Sequence, residues 1–166
     1  LFPEDEEIAQ TLISWYLSQG DVAGAETFLR ELAGDDTAAP EGHVAVVQLL
    51  QATEGEEAAQ AELDRLTAAN AGNPNADLYR ALAALIVFDR GEGDTAIATL
   101  QDIVTNAAGE GEGDDAGPTE QTLRIKVMLA RLLASSGDQV GARAQVEEIL
   151  AAGHGDLVLA RQVARA

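Results

Sequence analysis

The chain of 166 residues contains no cysteine. This absence excludes disulfides, thiolate metal sites and cysteine nucleophiles. Aromatic residues are also scarce, at 4% of the sequence, while alanine is abundant. A core of alanine and leucine suits helices that approach one another closely, whereas a β-sandwich would need more β-branched and aromatic side chains. The composition therefore predicts an all-α protein.

Basic residues are few, with 10 lysines and arginines against 29 aspartates and glutamates, which gives a formal net charge of −19. Binding to nucleic acid and to anionic membrane surfaces both depend on lysine and arginine. We therefore expect neither kind of partner. The charge is compatible with a basic or neutral protein partner, and it also suits a plain solvated acidic surface.

Long apolar runs are missing, since no stretch approaches the ~18 residues that a membrane helix needs. The sequence thus predicts no membrane insertion in this segment. The opening residues LFPEDEE lack the basic start and apolar stretch of a signal peptide. Because the chain starts at Leu1 and its single methionine is Met128, we expect a segment of a longer protein.

What the sequence does contain is a phrase that recurs four times. Each copy has a glycine, then a small alanine, then apolar residues four and seven positions after the alanine; the copies run over Gly20–Leu32, Gly55–Leu66, Gly91–Ile103 and Gly137–Ile149. The alanines are Ala25, Ala59, Ala96 and Ala142, spaced 34, 37 and 46 residues apart. Self-similarity at this period indicates stacked helical hairpins.

Four prolines divide the chain into hairpin units. Pro3, Pro40, Pro74 and Pro118 each precede the first helix of a unit, where the missing N–H of proline costs nothing. The pattern predicts one domain over residues 1–166, with units at about 4–36, 40–70, 74–107 and 118–152. The longest spacing is explained by an acidic, glycine-rich loop at 108–117. A terminal helix is predicted over 156–166.

Within these units the apolar spacing predicts eight helices. We expect them over residues 4–18, 22–32, 41–53, 56–70, 76–90, 94–107, 119–136 and 139–152. Ile8, Leu12, Trp15 and Tyr16 recur at helical spacing in the first helix. Adjacent residues on a helix point in different directions, so at most one of Trp15 and Tyr16 would face a partner, and we expect both in the core.

On these residues the chain resembles the tetratricopeptide repeat (TPR) family. If the small alanine is numbered position 20 of a unit, Ala84 and Ala130 fill position 8, where the two helices of the family cross. The tryptophan-like position 4 instead carries Ala9, His43, Arg80 and Lys126, so the chain resembles a divergent member. The resemblance implies a right-handed superhelical solenoid of antiparallel helical hairpins, with about four repeats plus a C-terminal helix, within a larger bacterial protein. The sequence leaves the compartment open between the bacterial cytoplasm and the periplasm.

The resemblance also implies a concave groove, lined by the first helix of each unit, that receives a peptide or a partner's helix. Carried over position by position, the groove residues are Gln10, Ser14, Leu17, Gln48, Gln51, Leu78, Ala81, Leu85, Phe88, Arg124, Val127 and Arg131. The floor would run from polar residues through an apolar patch to a basic end. Arg124 and Arg131 share a helix face and suit a partner's carboxylate. The alternative is that they pair with Glu120 or with acids of the preceding unit.

No catalytic or metal motif is present. His43 and His154 lack a second ligand at a usual spacing, so we expect no enzyme activity, cofactor or metal. The sequence predicts a protein-interaction scaffold. Two alternatives stay open: a spacer or oligomerisation element that contacts a second copy through its terminal helix, and the docking arm of an enzyme whose catalytic domain lies outside this segment.

Overall fold

The protein is all-helical over the residues that its structure describes, which are 6–109 and 119–151 of a computed structural model. The helices are α1 (Glu6–Ser18), α2 (Val22–Ala33), α3 (Pro40–Thr53), α4 (Glu56–Ala69), α5 (Asn75–Asp89), α6 (Gly93–Gly109), α7 (Glu120–Ser136) and α8 (Gln139–Ala151). Each repeated phrase forms the turn and second helix of a hairpin. The predicted all-α fold is therefore confirmed.

Within the described residues the helix ends agree with the sequence-based expectation to within about two residues; the predicted start at residue 4 and the predicted end at residue 152 lie outside them. The largest difference is at α6, which continues to Gly109, so the start of the predicted loop at 108 is wrong. Two alanines precede Gly109, and alanine has the highest helix propensity. The remainder of the loop, from 110 to 117, and the predicted helix over 156–166 lie outside the described residues.

The turns within the first and last hairpins share a Gly-Asp-x-x-Gly motif. Gly20 and Gly137 have φ of +74° and +91°, in the left-handed region that favours glycine. The aspartate that follows caps the second helix: the N–H of Gly24 donates to Asp21 at 2.9 Å, and the N–H of Gly141 donates to Asp138 at 2.9 Å. The motif therefore both ends one helix and starts the next.

The repeated alanines lie at buried positions between packed helices. Ala25, Ala59 and Ala96 are fully buried, and Ala142 is almost so. A glycine permits a second close approach, because a Cβ on Gly42 of α3 would lie 2.7 Å from the backbone Cα of Ala33 in α2. Small side chains at these points let the helices sit close together, as an alanine-rich core requires.

The chain divides into two compact units between Ala76 and Asp77. The first contains α1–α4, and the second contains most of α5 together with α6–α8. In the first unit, α2 and α3 share a cluster of five buried residues, which are Ala25, Leu29, Val46, Leu49 and Leu50, and Ile13 and Tyr16 of α1 pack against it.

Trp15 does not join this core. Tyr16 is half-buried, with its ring 6.3 Å from that of Phe28, whereas Trp15 is largely exposed and meets the edge of the Tyr16 ring at 5.2 Å. The expectation that both rings are core residues is therefore wrong for Trp15. Helical spacing alone cannot tell a residue that faces a neighbouring helix from one on a side with no described neighbour.

The second unit has the larger core. Residues of α5, α6, α7 and α8 form one buried cluster, which contains Ala81, Ala84, Ala96, Leu100, Ile103, Ile125, Leu129, Leu132, Leu133 and Ala142. Leu85 and Phe88 pack against this cluster from α5, and Met128 and Ala134 do so from α7. The exposed sides of α5 and α7 therefore flank a single core.

Candidate protein-binding surface

The predicted groove residues of the first unit lie on exposed helix faces. Gln10, Ser14 and Leu17 are exposed on α1, and Gln48 and Gln51 are exposed on α3. The sequence from Ile8 to Gly20 and from Gly42 to Thr53 contains no aspartate, glutamate, lysine or arginine. These two stretches therefore carry no ionised carboxylate and no lysine or arginine, although the exposed Glu41 begins the same face of α3.

Three predicted groove residues of the second unit are buried. Ala81 belongs to the main cluster of this unit, and Val127 packs with Leu123 and Ile149 in a smaller one. Leu78 is also buried. These three residues offer no surface in this structure, because their side chains serve helix packing. Positions carried over from a repeat pattern do not take account of how far each helix is rotated toward its neighbours.

Leu85 and Phe88 of α5 are half-buried. Both pack against the core on one side, and the ring of Phe88 lies next to Gly93 at the start of α6. They retain apolar surface that a partner side chain could cover. Of the predicted apolar patch, this pair is the part that is accessible.

Arg124 is paired in this structure. Its Nη2 donates to Glu120 Oε1 at 2.7 Å, one helical turn earlier on α7. The alternative that the sequence left open is thus the one observed for Arg124. Both side chains are well exposed, and such a pair is worth only about 0.3–0.5 kcal/mol, so it would exchange readily for another carboxylate.

Arg131, seven residues along the same helix, is different. It is exposed and forms no hydrogen bond or ion pair with any residue in the described ranges. Six of the eight basic residues in those ranges have such partners, the other exception being Arg143 on α8. Arg131 is therefore an exposed cation without a partner in the described ranges, and it belongs to the same unit as the apolar pair Leu85 and Phe88.

The strongest electrostatic feature lies elsewhere, at a carboxylate on α4. Glu62 is almost completely buried. Arg30 of α2 donates to it through Nη1 at 2.8 Å, and Arg65 donates through Nη2 to the same oxygen at 2.9 Å. Arg65 also forms a bidentate pair with Asp36, at 2.6 and 2.9 Å. Paired, hydrogen-bonded geometry of this kind is what a buried carboxylate needs.

These contacts shift the ionisation of the cluster. Burial acts to raise the pKa of Glu62, but the hydrogen bonds from Arg65 and Arg30 outweigh it and lower that pKa to about 2. The hydrogen bonds from Arg65 also hold the pKa of Asp36 below its usual value. Glu62 in turn raises the pKa of both arginines. The cluster is thus fully ionised at neutral pH.

The cluster around Glu62 stabilises the connection between the first two hairpins. Asp36 lies in that connection, and its carbonyl accepts a hydrogen bond from the buried Asn70 Nδ2 at 2.9 Å. Asn75 Nδ2 donates to the carbonyl of Ala38 at 3.1 Å. Sequence reasoning missed this arrangement. The available signal was the separation of Arg30 and Glu62 by 32 residues, which is close to the repeat period and places them on successive second helices.

His43 has a structural role. Its ring is buried on α3, with Nε2 3.0 Å from the carbonyl oxygen of Asp35 in the same connection. Within the described ranges no three histidine, cysteine or acidic side chains are grouped as a metal ion would require. His154, the other histidine considered from the sequence, lies outside those ranges. None of the helices that the structure describes has the length and apolar character needed to span a bilayer.

No protein-family model matches the sequence, and no curated protein is similar to it in sequence. Two solved structures are similar in fold. One is described as a putative kinesin light chain of Podosopora anserina with nearly identical TPR-like repeats; its TM-score is 0.57 at 17% identity, over 87% of this chain and 73% of that one. The other is a point variant of the same protein, with a TM-score of 0.57 at 16% identity, over 87% and 72% of the two chains.

The fold is therefore a divergent TPR-like helical repeat. At this level of identity the similarity establishes the fold alone. The accessible residues among those predicted for the groove lie on α1, α3, α5 and α7.

Proposed function

We propose that this chain is a protein-interaction module whose second unit binds an extended segment of a partner on the exposed sides of α5 and α7. The partner segment carries an apolar side chain and, close to it, a carboxylate. The observation that carries the proposal is Arg131, an exposed cation with no ion-pair partner within residues 6–109 and 119–151, on a helix that flanks the same core as Leu85 and Phe88.

This surface offers one group that binds a carboxylate and two side chains that form apolar contacts. Arginine presents a planar fork of N–H donors that matches a carboxylate in two parallel hydrogen bonds. Leu85 and Phe88 supply apolar surface, and covering such surface contributes about 25 cal/mol per Å² removed from water. The net charge of −19 repels acidic partners at long range, but at physiological salt charges are screened beyond about 8 Å. The carboxylate is therefore selected by direct contact with Arg131.

The first unit supports the same function with different chemistry. The primary amides of Gln10, Gln48 and Gln51 each combine donors and an acceptor, and these amides have no hydrogen-bond partner within the described ranges. An extended peptide offers alternating N–H and C=O groups of the same kind. We propose that this face contacts a partner's backbone without selecting for charge.

The proposal is tested by selecting peptides from a random library on the immobilised protein. The expected result is enrichment of sequences that combine a bulky apolar residue with an aspartate, a glutamate or a free C-terminus. Enrichment of basic sequences alone would contradict it, because it would indicate that the acidic surface as a whole attracts ligands and that Arg131 has no part in binding.

A further inference from the structure

The side of α1 that carries Trp15 is exposed, whereas the corresponding side of α3 and of α7 is buried. Trp15 occupies position 10 of its unit and is 55% exposed, whereas the residues at position 10 of α3 and α7, Leu49 and Leu132, are 7% and 6% exposed. Leu49 lies in one buried cluster with Ala25 and Leu29 of the preceding helix α2, and Leu132 lies in one cluster with Leu100 of the preceding helix α6. Position 10 is thus where a preceding second helix packs.

Position 3 shows the same contrast. Ile125 at this position of α7 is 2% exposed, while Ile8 of α1 is 42% exposed. Ile8 and Trp15 are seven residues apart and therefore share one side of α1. The residue types of α1 are those of a packed repeat interface, but their side chains are open to solvent.

The last described helix, α8, shows the other half of such an interface. In α2, positions 24 and 28 are Leu29 and Ala33, which are 4% and 7% exposed and lie on the side that α3 covers. In α8 the same positions are Val146, which is half-buried, and Leu150, which is 45% exposed. Arg143, on the same side of α8, is exposed and has no ion-pair partner within the described ranges.

We infer that these two sides form a head-to-tail contact between two copies of the chain, in which α8 of one copy packs on α1 of the next as α2 packs on α3. The inference does not depend on the function proposed above. It rests on continuity with the interfaces inside the molecule, because both faces carry apolar residues at the positions that those interfaces use. A contact between unlike surfaces leaves one face open on each end, so association does not stop at a dimer unless a ring closes.

The contact is weak and strengthened by salt. Covering Trp15 and Leu150 is favourable, since a fully buried large apolar side chain contributes about 1.5–3 kcal/mol. Two copies that each carry a charge of −19 repel one another, and raising the salt concentration shortens the range of that repulsion. Apolar contacts are not weakened by this screening. Association is therefore expected to increase with sodium chloride, unlike a contact built on ion pairs.

The test uses the fact that Trp15 is the only tryptophan. Sedimentation velocity and tryptophan emission are recorded between about 5 µM and 1 mM protein in about 0.5 M sodium chloride. The expected result is a rise in mean sedimentation coefficient together with a shift of emission to shorter wavelength and a loss of acrylamide quenching. A protein that stays monomeric, with unchanged emission, over the whole range overturns the inference and points to another occupant of α1.

A mixing experiment decides the geometry. Trp15→Gln disrupts the contact surface on α1, and Leu150→Asp disrupts the contact surface on α8. Each variant alone therefore lacks one of the two surfaces and stays monomeric. Mixed in equal amounts, they form a dimer that does not grow, because one copy supplies an intact α8 and the other an intact α1. Association of either variant by itself at the wild-type level, or no dimer in the mixture, contradicts the head-to-tail contact.

Two control variants accompany the mixture. Leu17→Gln changes an exposed leucine on another side of α1, and Val140→Gln changes a valine at position 18, where Ala23, Glu57 and Asp94 of the other units are also exposed. Both variants should associate as the wild type does. Loss of association in either control would show that the contact uses a different face of these helices, which also overturns the assignment.

Discussion

Arg30 on α2 and Glu62 on α4 are joined by a two-pronged ion pair, with Nη1 2.8 Å from Oε1 and Nη2 3.3 Å from Oε2. The pair links the second helices of successive hairpins. Because Glu62 is almost fully buried, the arginines supply the hydrogen bonds that water would otherwise provide. This contact links the first two hairpins and affects their stability.

The first consequence is a dependence of stability on acid. The pKa of Glu62 falls from 4.5 to about 2 on folding, so the folded state stabilises the ionised form. The resulting stabilisation is complete above about pH 4.5 and is lost as the pH falls toward 2; it amounts to at most about 3.4 kcal/mol at 1.36 kcal/mol per pKa unit. Urea denaturation of Glu62→Gln, followed by circular dichroism, should show a shallower fall in stability over this range than the wild type.

The matched control for this measurement is Glu31→Gln, which changes an exposed glutamate on α2. That variant should keep the wild-type slope between pH 4.5 and 2. At pH 7, Glu62→Gln should unfold more easily than wild type by about 1–3 kcal/mol, because it leaves arginine donors without their charged acceptor. Equal slopes for all three proteins would show that Glu62 does not carry the acid sensitivity.

A second prediction concerns Asn70, whose buried Nδ2 donates to the carbonyls of Asp36 and Leu66 at 2.9 and 2.8 Å. Asn70→Ala should destabilise the protein by about 1–3 kcal/mol, because it leaves carbonyl acceptors without their donor. Asn70→Asp should be worse than Asn70→Ala, since a carboxylate cannot donate and would place a negative charge against two carbonyl oxygens. Thermal unfolding at neutral pH ranks the variants, and the reverse order would contradict the assigned hydrogen bonds.

A third prediction compares two helical glycines. A Cβ on Gly42 would lie 2.7 Å from the backbone of Ala33, whereas the nearest atom to a Cβ on Gly93 is a Phe88 ring carbon at 3.4 Å. Gly42→Ala should therefore force α2 and α3 apart at a cost of about 1–3 kcal/mol. Gly93→Ala should be neutral, or stabilising by up to about 1 kcal/mol, because alanine favours the helix. Chemical denaturation gives both values, and a stable Gly42→Ala variant would mean that α2 and α3 do not approach this closely.

The helices of the described residues could be predicted from the sequence because each hairpin repeats the same local signals. A glycine and an alanine followed by apolar residues at four and seven positions mark the turn and the second helix, and in the first and last hairpins a capping aspartate follows the glycine. The residues of the candidate surface were harder to predict from the sequence. Leu78, Ala81 and Val127 were assigned to a groove by their position in the repeat, yet they are buried, because burial depends on how each helix is rotated against its neighbours.

The exposure of Trp15 could not be predicted for a related reason. Its position is buried in other hairpins by a preceding helix, and the sequence of α1 carries the same kind of apolar residue. Sequence reasoning missed the cluster around Glu62 because, although Arg30 and Glu62 are separated by about one repeat period, their pairing depends on how far the side chains reach between helices. Periodicity places residues on a helix face, whereas ion pairs and exposure depend on the surrounding helices.

The central claim, that the exposed sides of α5 and α7 bind a carboxylate-bearing protein segment, is tested most directly by isothermal titration of one selected peptide against two charge-reversal variants. Arg131→Glu and Arg143→Glu each replace an exposed arginine without an ion-pair partner in the described ranges, so they change the net charge by the same amount. The prediction is that Arg131→Glu weakens binding at least about tenfold, equivalent to 1.4 kcal/mol, while Arg143→Glu changes the affinity less than about twofold. Equal losses in both variants, or an unchanged affinity in Arg131→Glu, would contradict the proposed surface.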